Sequence, residues 1–200
     1  MTRFFLVRHG QKTTPDPLLV GRTPGIHLSE HGRAQADAIA ERLGAEEIAR
    51  VVSSPLERAR ETAEPLARLK GLKVETMAEF HETDFGEWTG HTIDQLAGVS
   101  QWRRYNEFRS ATPAPGGETM LQMQQRFVSG MLTLRGRYPS QGVAIFSHGD
   151  PLRAAIAYFA GAPVDFWHRF EIGVGSISVV DLGDDCVKIQ KLNDVPLPNP

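Results

Sequence analysis

Two apolar runs that each end in a histidine and a glycine constrain this chain more than any other feature. Phe4-Phe5-Leu6-Val7-Arg8-His9-Gly10 lies near the start, and Val143-Ala144-Ile145-Phe146-Ser147-His148-Gly149 repeats the pattern far downstream. An apolar run that stops at polar, reactive side chains is the signature of a buried strand reaching the edge of a sheet. Two such ends, each presenting an imidazole, are read as one site.

The segments between them alternate in kind. Residues 3–8 read as a strand, and residues 11–28, with Pro15, Pro17, Gly21, Pro24 and Gly25, as a loop over its end. Ser29 caps a helix carrying Ala36, Ile39, Ala40 and Leu43 and ending at Gly44. Val51-Val52 is a short strand. Ser54, Pro55 and Glu57 read as a capping box for a second helix, with Ala59, Thr62, Ala63, Leu66 and Leu69 inside and Gly71 at its end. Residues 72–77 suggest a strand, 80–90 a loop, and 92–108 helix broken near Gly98. The longest helix runs from about Glu118 to Arg135, with Leu121, Gln124, Phe127, Val128, Met131 and Leu134 recurring at helical spacing and its methionines as core fillers. Pro151 opens a further helix through Leu152, Ala155, Ile156 and Phe159. Strands around 177–180 and 187–192, joined by a turn at 183–185, form a hairpin, so at least one strand runs antiparallel to the rest. The alternation predicts an α/β fold, a three-layer α/β/α sandwich with a mostly parallel central sheet and helices on both faces. Residues 1–200 form a single domain on this reading, with a frayed tail at 196–200.

Composition narrows the classes of function. At 200 residues, 40% hydrophobic and 23% charged with a formal charge of −2, the chain has neither the bias of a disordered segment nor a basic nucleic-acid footprint. The lone cysteine, Cys186, rules out an intrachain disulfide and reads as a small, semi-buried residue of a late strand. The seven histidines are not grouped at ligand spacing, so no metal and no cofactor is expected. The N-terminal apolar run is too short for a signal peptide and no later stretch is long enough to span a membrane, which predicts a cytoplasmic protein without a membrane partner.

In such sheets ligands bind beyond the carboxyl ends of the strands, where His9, the 54–58 turn, the 80–90 loop and His148 all fall. A pocket holding Arg8, His9, Arg58 and His148 offers two forked guanidiniums suited to phosphoryl oxygens, and the helix after His148 adds backbone N–H groups. Taken singly, either histidine reads as a hydrogen-bonded structural residue, Arg58 as a solvent-facing charge like Arg60 and Glu61 on the same helix, and Glu82 as an ordinary loop charge. The combination lifts all four.

Arg8-His9-Gly10, Ser53-Ser54-Pro55-Leu56-Glu57-Arg58-Ala59-Arg60-Glu61-Thr62-Ala63, Glu82-Thr83-Asp84-Phe85-Gly86-Glu87-Trp88-Thr89-Gly90 and Ser147-His148-Gly149 together resemble the histidine phosphatase superfamily, also called phosphoglycerate-mutase-like. The motifs occur in family order, Leu28, Gly32, Gln35 and Ala36 open the first helix as that family often has them, and the resemblance spans roughly residues 3–160. It implies that His9 is a nucleophile that becomes a phosphohistidine, that Arg8 and Arg58 clamp the phosphate, and that His148 binds it. Glu82 matches the general acid for the leaving alcohol, and the family works without metal. Gln11, Thr13, Arg22, Gly149 and Asp150 are further candidates for phosphate or substrate binding. Lys12, His27, Arg103, Arg104 and Arg109 are charges in the loops and helices expected to roof the site, and Asp84 supports Glu82 or faces solvent. Trp88 reads as packing.

Departures from the family pattern bear on substrate. After Arg8-His9-Gly10 comes Gln11-Lys12-Thr13-Thr14-Pro15, without the tryptophan and asparagine of the mutases and several phosphatases, and the longer middle segment of the cofactor-dependent mutases has no match. Asp150 stands where a small residue is common. A phosphatase acting on a small-molecule phosphate ester, with a homodimer as the possible assembly, is therefore the leading expectation. A phosphomutase of the phosphoglycerate mutase type and a non-catalytic phospho-ligand or protein-binding module are the alternatives.

Overall fold

The structure is a computed structural model that describes residues 1–14 and 18–197. A six-stranded sheet is built from β1 (Thr2–Arg8), β2 (Arg50–Ser53), β3 (Val74–Thr76), β4 (Gly142–Ser147), β5 (Ile177–Leu182) and β6 (Val187–Asp194). Their order is β3-β2-β4-β1-β5-β6. β1 runs parallel to β4, and β2 parallel to both β3 and β4, while β5 is antiparallel to β1 and to β6. The hairpin expected at the C-terminus supplies those antiparallel strands.

The helices are α1 (Glu30–Arg42), α2 (Glu57–Lys70), α3 (Ile93–Leu96), α4 (Ser100–Glu107), α5 (Met120–Arg137) and α6 (Gly149–Phe159). Strand alternation divides the core between the faces of the sheet. Phe4 and Leu6 of β1 pack with Val143 and Ile145 against Phe127 and Met131 of α5 and Leu152 and Ile156 of α6. Phe5 and Val7 pack with Ala144 and Phe146 against Ile39 of α1 and Ala63 and Leu66 of α2. The three-layer α/β/α sandwich follows directly. A satellite cluster of Phe85, Trp88, Leu96 and Tyr105 seals the region over the site, so Trp88 is indeed a packing residue.

Several local expectations are corrected. The helix α2 is capped by Leu56 with no side-chain cap. Ser54 and Glu57 form no capping box: the Ser54 N–H is taken by the Phe146 carbonyl, and the Ser54 hydroxyl, turned toward His148, accepts from the Leu56 N–H at 3.4 Å ahead of the helix. Leu69 and Leu121 are 57% and 46% exposed; in α5 the phase that faces the core is that of Met120 and Met123, both fully buried. Glu61 does not face solvent freely but accepts from the Leu28 N–H and pairs with His27. Cys186 is exposed in the hairpin turn, not half-buried in a strand. α6 starts at Gly149, two residues before Pro151, and a 3-10 helix at Val164–Arg169 had no counterpart in the sequence reading. The loop prolines Pro15 and Pro17 and residues 198–200 of the tail lie outside the described residues.

Candidate active site

The carboxyl ends of β1 and β4 lie side by side, with Arg8 paired to Ser147 in the sheet register. That pairing alone brings His9 and His148 together: their ring centroids are 5.1 Å apart at an edge-on angle of 63°. Glycines make the turn after β1 possible. Gly10 and Gly32 pass so closely that a Cβ on Gly10 would stand 2.5 Å from the Gly32 carbonyl oxygen, and one on Gly32 would stand 2.0 Å from that of Gln11. The start of α1 thus holds the His9 turn in place. Gly149 is pressed against the Arg8 guanidinium, where a Cβ would meet Cζ at 3.2 Å.

Each side chain has a defined setting. His9 Nδ1 lies 2.7 Å from the Gly10 carbonyl. A carbonyl only accepts, so the proton sits on Nδ1 and the lone pair is on Nε2. Burial, followed by Arg58 and Arg8, holds the His9 imidazole well below its ordinary value of 6.5, which keeps it neutral. His148 Nε2 lies 2.8 Å from Ser54 Oγ, while its Nδ1, 3.8 Å from Glu82 Oε2, makes no hydrogen bond. Burial and then Arg58 also depress His148 strongly.

Arg58 is fully buried. One amino group, Nη2, donates to the Gly21 carbonyl at 2.9 Å, and Nε and Nη1 have no hydrogen-bond partner. Buried unpaired donors cost on the order of 1–3 kcal/mol each, so a guanidinium in this state is unusual outside a binding site. Arg8 is anchored by Nη1 on the Ile172 carbonyl at 2.7 Å. Glu82 Oε1 accepts from the Thr83 N–H at 2.8 Å, and the Glu82 carbonyl is held by Arg22 and Arg126. Burial first, and the Asp150 carboxylate second, raise the Glu82 carboxyl above 4.5 against the pull of Arg58.

Arg8, His9, Arg58, Glu82, Gly149 and Asp150 all line one cavity of ≈ 340 Å³. His148 is fully buried beside His9 and next to the lining residue Gly149. Guanidinium and backbone donors beside a neutral imidazole and a carboxyl whose pKa burial raises are complementary to a tetrahedral oxyanion.

Other expected residues fall elsewhere. Gln11 and Thr13 border a separate cavity of ≈ 280 Å³ on the other side of His9. The Gln11 amide oxygen accepts from Ser29 Oγ. Arg22 lines neither cavity and instead ties Glu82 to Glu118. Asp84 accepts from the Gly86 N–H and so shapes the Glu82 loop. Arg103 and Arg104 are exposed, whereas Lys12 and Arg109 do line the larger cavity. Sequence reasoning missed Ser54 as the partner of His148, and missed Asn106, Arg153 and Trp167 in the cavity wall. Of these only Trp167 carried a signal, as part of the aromatic and cationic run Phe166-Trp167-His168-Arg169 that ends the 3-10 segment. Among the described residues no group of three or more His, Cys, Asp or Glu is placed to hold a metal ion.

Comparison with known proteins agrees with this geometry. A family model described as histidine phosphatase superfamily, branch 1, matches residues 4–195. An uncharacterised protein of Mycobacterium tuberculosis is 33% identical over 198 residues, covering 94% of each chain. Phosphoserine phosphatase 1 of Hydrogenobacter thermophilus is 30% identical over 198 residues, covering 96% of this chain and 92% of its own. A solved structure of a mycobacterial glucosyl-3-phosphoglycerate phosphatase superposes with a TM-score of 0.86 at 28% identity, covering 96% of this chain and 98% of that one.

Proposed function

The chain belongs to the histidine phosphatase superfamily, branch 1, and we propose that it hydrolyses a small-molecule phosphate monoester without metal, through a phosphohistidine on His9. The observation that carries this reading is the pairing of His9, neutral with its lone pair on Nε2, with Arg58, fully buried with two donors unpartnered. Relatives named as phosphoserine phosphatase and glucosyl-3-phosphoglycerate phosphatase support the substrate class.

The steps follow from the geometry. Arg58, Arg8 and the first N–H groups of α6 hold the three non-bridging oxygens. His9 Nε2 attacks phosphorus in line while the bond to the ester oxygen breaks. Glu82 gives its proton to that oxygen, and the alcohol leaves. With Nε2 accepting a hydrogen bond from the Ser54 hydroxyl, neutral His148 carries its proton on Nδ1 and donates to the transferring group as charge builds. Water then attacks the phosphohistidine, gives a proton to the Glu82 carboxylate, and the P–N bond breaks to release phosphate.

On this reading the partner is a small ester dissolved in the cytoplasm, and neither nucleic acid nor a membrane. Among the described residues no helix is long and apolar enough to cross one. A two-fold dimer is the assembly to look for by sedimentation. The direct test is phosphate release from a panel of metabolite esters in EDTA, with His9→Ala alongside and 3-phosphoglycerate followed for isomerisation. Alkaline quench of the wild type should trap phosphohistidine, and release by His9→Ala at the wild-type rate would sink the reading. Isomerisation without release would make the protein a mutase.

A further inference from the structure

The cavity continues past the phosphoryl site, and its wall there carries charges that phosphoryl transfer does not use. Arg109 leaves the loop after α4 and is 4% exposed. Its guanidinium lies 3.8 Å from the Trp167 ring centroid and 4.6 Å from that of Tyr105. Nη1 donates to Asp150 Oδ2 at 2.7 Å and Nη2 to Asn106 Oδ1 at 2.9 Å. A guanidinium held between two rings and on two acceptors is a brace. It fixes the Asp150 carboxylate, which in turn lies 3.5 Å from Arg153 Nη1.

Arg153 is held differently. Its Nε donates to the Phe170 carbonyl at 3.1 Å, which sets the side chain's direction. Its two amino groups stand 3.5 Å from Asp150 Oδ1 and from Glu171 Oε1, and its Cζ is 5.4 Å from the Trp167 centroid. Close charge-assisted bonds run about 2.7–2.9 Å; the bond from Nη2 to Glu171 and the ion pair of Nη1 with Asp150 are longer, and each amino group carries two N–H donors, so each keeps a donor for a ligand. Arg153 lies four residues beyond Gly149 on α6, about 6 Å along the axis. That is a length that a three-carbon phospho-acid spans.

Two guanidiniums meet one enclosed carboxylate, Asp150, on this wall, beyond the two arginines that face the phosphoryl group. The second anion beside Arg153, Glu171, has a side chain 74% exposed, so water screens it and the wall facing the cavity stays electropositive. Burial pushes the Asp150 carboxyl up, but Arg109, Arg153 and Arg8 outweigh it, so the carboxylate stays ionised. An ammonium group offered to Asp150 would have to approach between both guanidiniums, and a neutral polyol would leave the charge uncompensated.

We propose that Arg153 binds a carboxylate on the alcohol part of the substrate, so that the enzyme selects phosphorylated hydroxy acids over phospho-alcohols without one. This rests on the phosphatase reading above and narrows it. Arg109 and Asp150 are the positioning residues for Arg153. The ester's phosphoryl end sits on Arg58 and Arg8 while its carboxylate end closes onto the Arg153 amino groups.

The test uses the full chain and two matched pairs: 3-phosphoglycerate against glycerol 3-phosphate, and phosphoserine against phosphoethanolamine, with p-nitrophenyl phosphate as reference. Wild type should favour the carboxylate member of each pair by about tenfold or more in kcat/KM, the value of one charge-assisted contact, mostly through KM. Arg153→Met should bring both ratios to within about threefold of unity, Arg153→Lys should retain part of the preference, and Arg153→Glu should favour phosphoethanolamine over phosphoserine. If Arg153→Met fails to fold, the Lys and Glu variants carry the comparison. Wild-type ratios near unity, ratios unchanged in the variants, or a bisphosphate preferred to every carboxylate would overturn the inference. Hydrolysis of p-nitrophenyl phosphate with no carboxylate preference refutes this proposal alone, whereas no hydrolysis of any ester refutes the phosphatase reading itself.

Discussion

Replacing Gly10 by alanine tests whether the His9 turn is held by backbone contact. The added methyl would stand 2.5 Å from the Gly32 carbonyl oxygen and 3.1 Å from the Gly32 Cα. Non-bonded atoms settle near 3.5 Å, so the two segments must part by about 1 Å. Neither can give easily. The Gly10 N–H is bound to Thr62 Oγ1 at 3.1 Å, the Gln11 N–H to Gln35 Oε1 at 2.8 Å, and the Gln11 carbonyl accepts from the Ser29 N–H at 2.8 Å. Overpacking of this kind costs about 1–3 kcal/mol, and a nucleophile displaced by about 1 Å loses on the order of 10²-fold in rate. Urea denaturation and kcat on p-nitrophenyl phosphate measure the two effects. Gly136→Ala in α5, where a Cβ meets nothing within 4 Å, is the control and should be neutral or stabilising. A Gly10→Ala protein with stability within about 0.5 kcal/mol of wild type and unaltered kcat would refute the argument.

Three further outcomes are expected. Glu82→Gln should lose about 10²–10⁴-fold on alkyl phosphates, whose leaving oxygen needs a proton, yet far less on p-nitrophenyl phosphate; equal losses on both would remove Glu82 from the acid role. For an alkyl ester kcat/KM should be bell-shaped in pH, since activity falls with pH below a depressed His9 value and falls again above a raised Glu82 value. The alkaline limb should vanish in Glu82→Gln, and its persistence would assign it to another group. Phosphate at a hundred times its Kd should stabilise the wild type by about 2.7 kcal/mol, visible as a Tm rise that Arg58→Met abolishes; an undiminished rise would show that Arg58 does not hold the anion.

What was legible in the sequence was what depends on local pattern. The apolar runs ending at His9 and His148 locate β1 and β4, and their shared neighbourhood follows because parallel strands present the same end. Ser29 capping α1 and Gly71 ending α2 in a left-handed turn were readable for the same reason. The Ser54 cap failed because the helix starts later, at Leu56, and the Ser54 hydroxyl is turned toward a tertiary partner, His148, while it accepts from the Leu56 N–H. Leu69 and Leu121 failed because apolar spacing alone does not say which edge of a helical stripe meets the sheet. Of the far wall only Arg109 was read as roofing the site; Asn106, Arg153 and Trp167 were not legible, since they come from three separate segments and meet only in the folded chain.

The electrostatics of the site answer a problem set by its own chemistry. The proposed reaction needs His9 neutral while Glu82 is protonated, but the ordinary values of 6.5 and 4.5 run in the wrong order. Midway between them each group would be in its working form about one time in eleven, and both together about 1% of the time. Burial corrects both, because it penalises imidazolium and carboxylate alike. The arginines proposed to hold phosphate do not, since Arg58 and Arg8 lower His9 usefully but lower Glu82 as well. Around Glu82 stand Arg58 from α2, Arg8 from β1, the Thr83 N–H, His148 and Asp150 from the start of α6. Among the groups that shift it, Asp150 is the anion that opposes the arginines. Asp150→Asn should therefore move the alkaline limb to lower pH and also weaken the carboxylate preference, because the same side chain positions Arg153. Arg153→Met should alter the preference and leave the limb where it was. If Asp150→Asn changes the preference with no movement of the limb, then Asp150 acts on the substrate's far end alone, and Glu82 owes its raised value to burial.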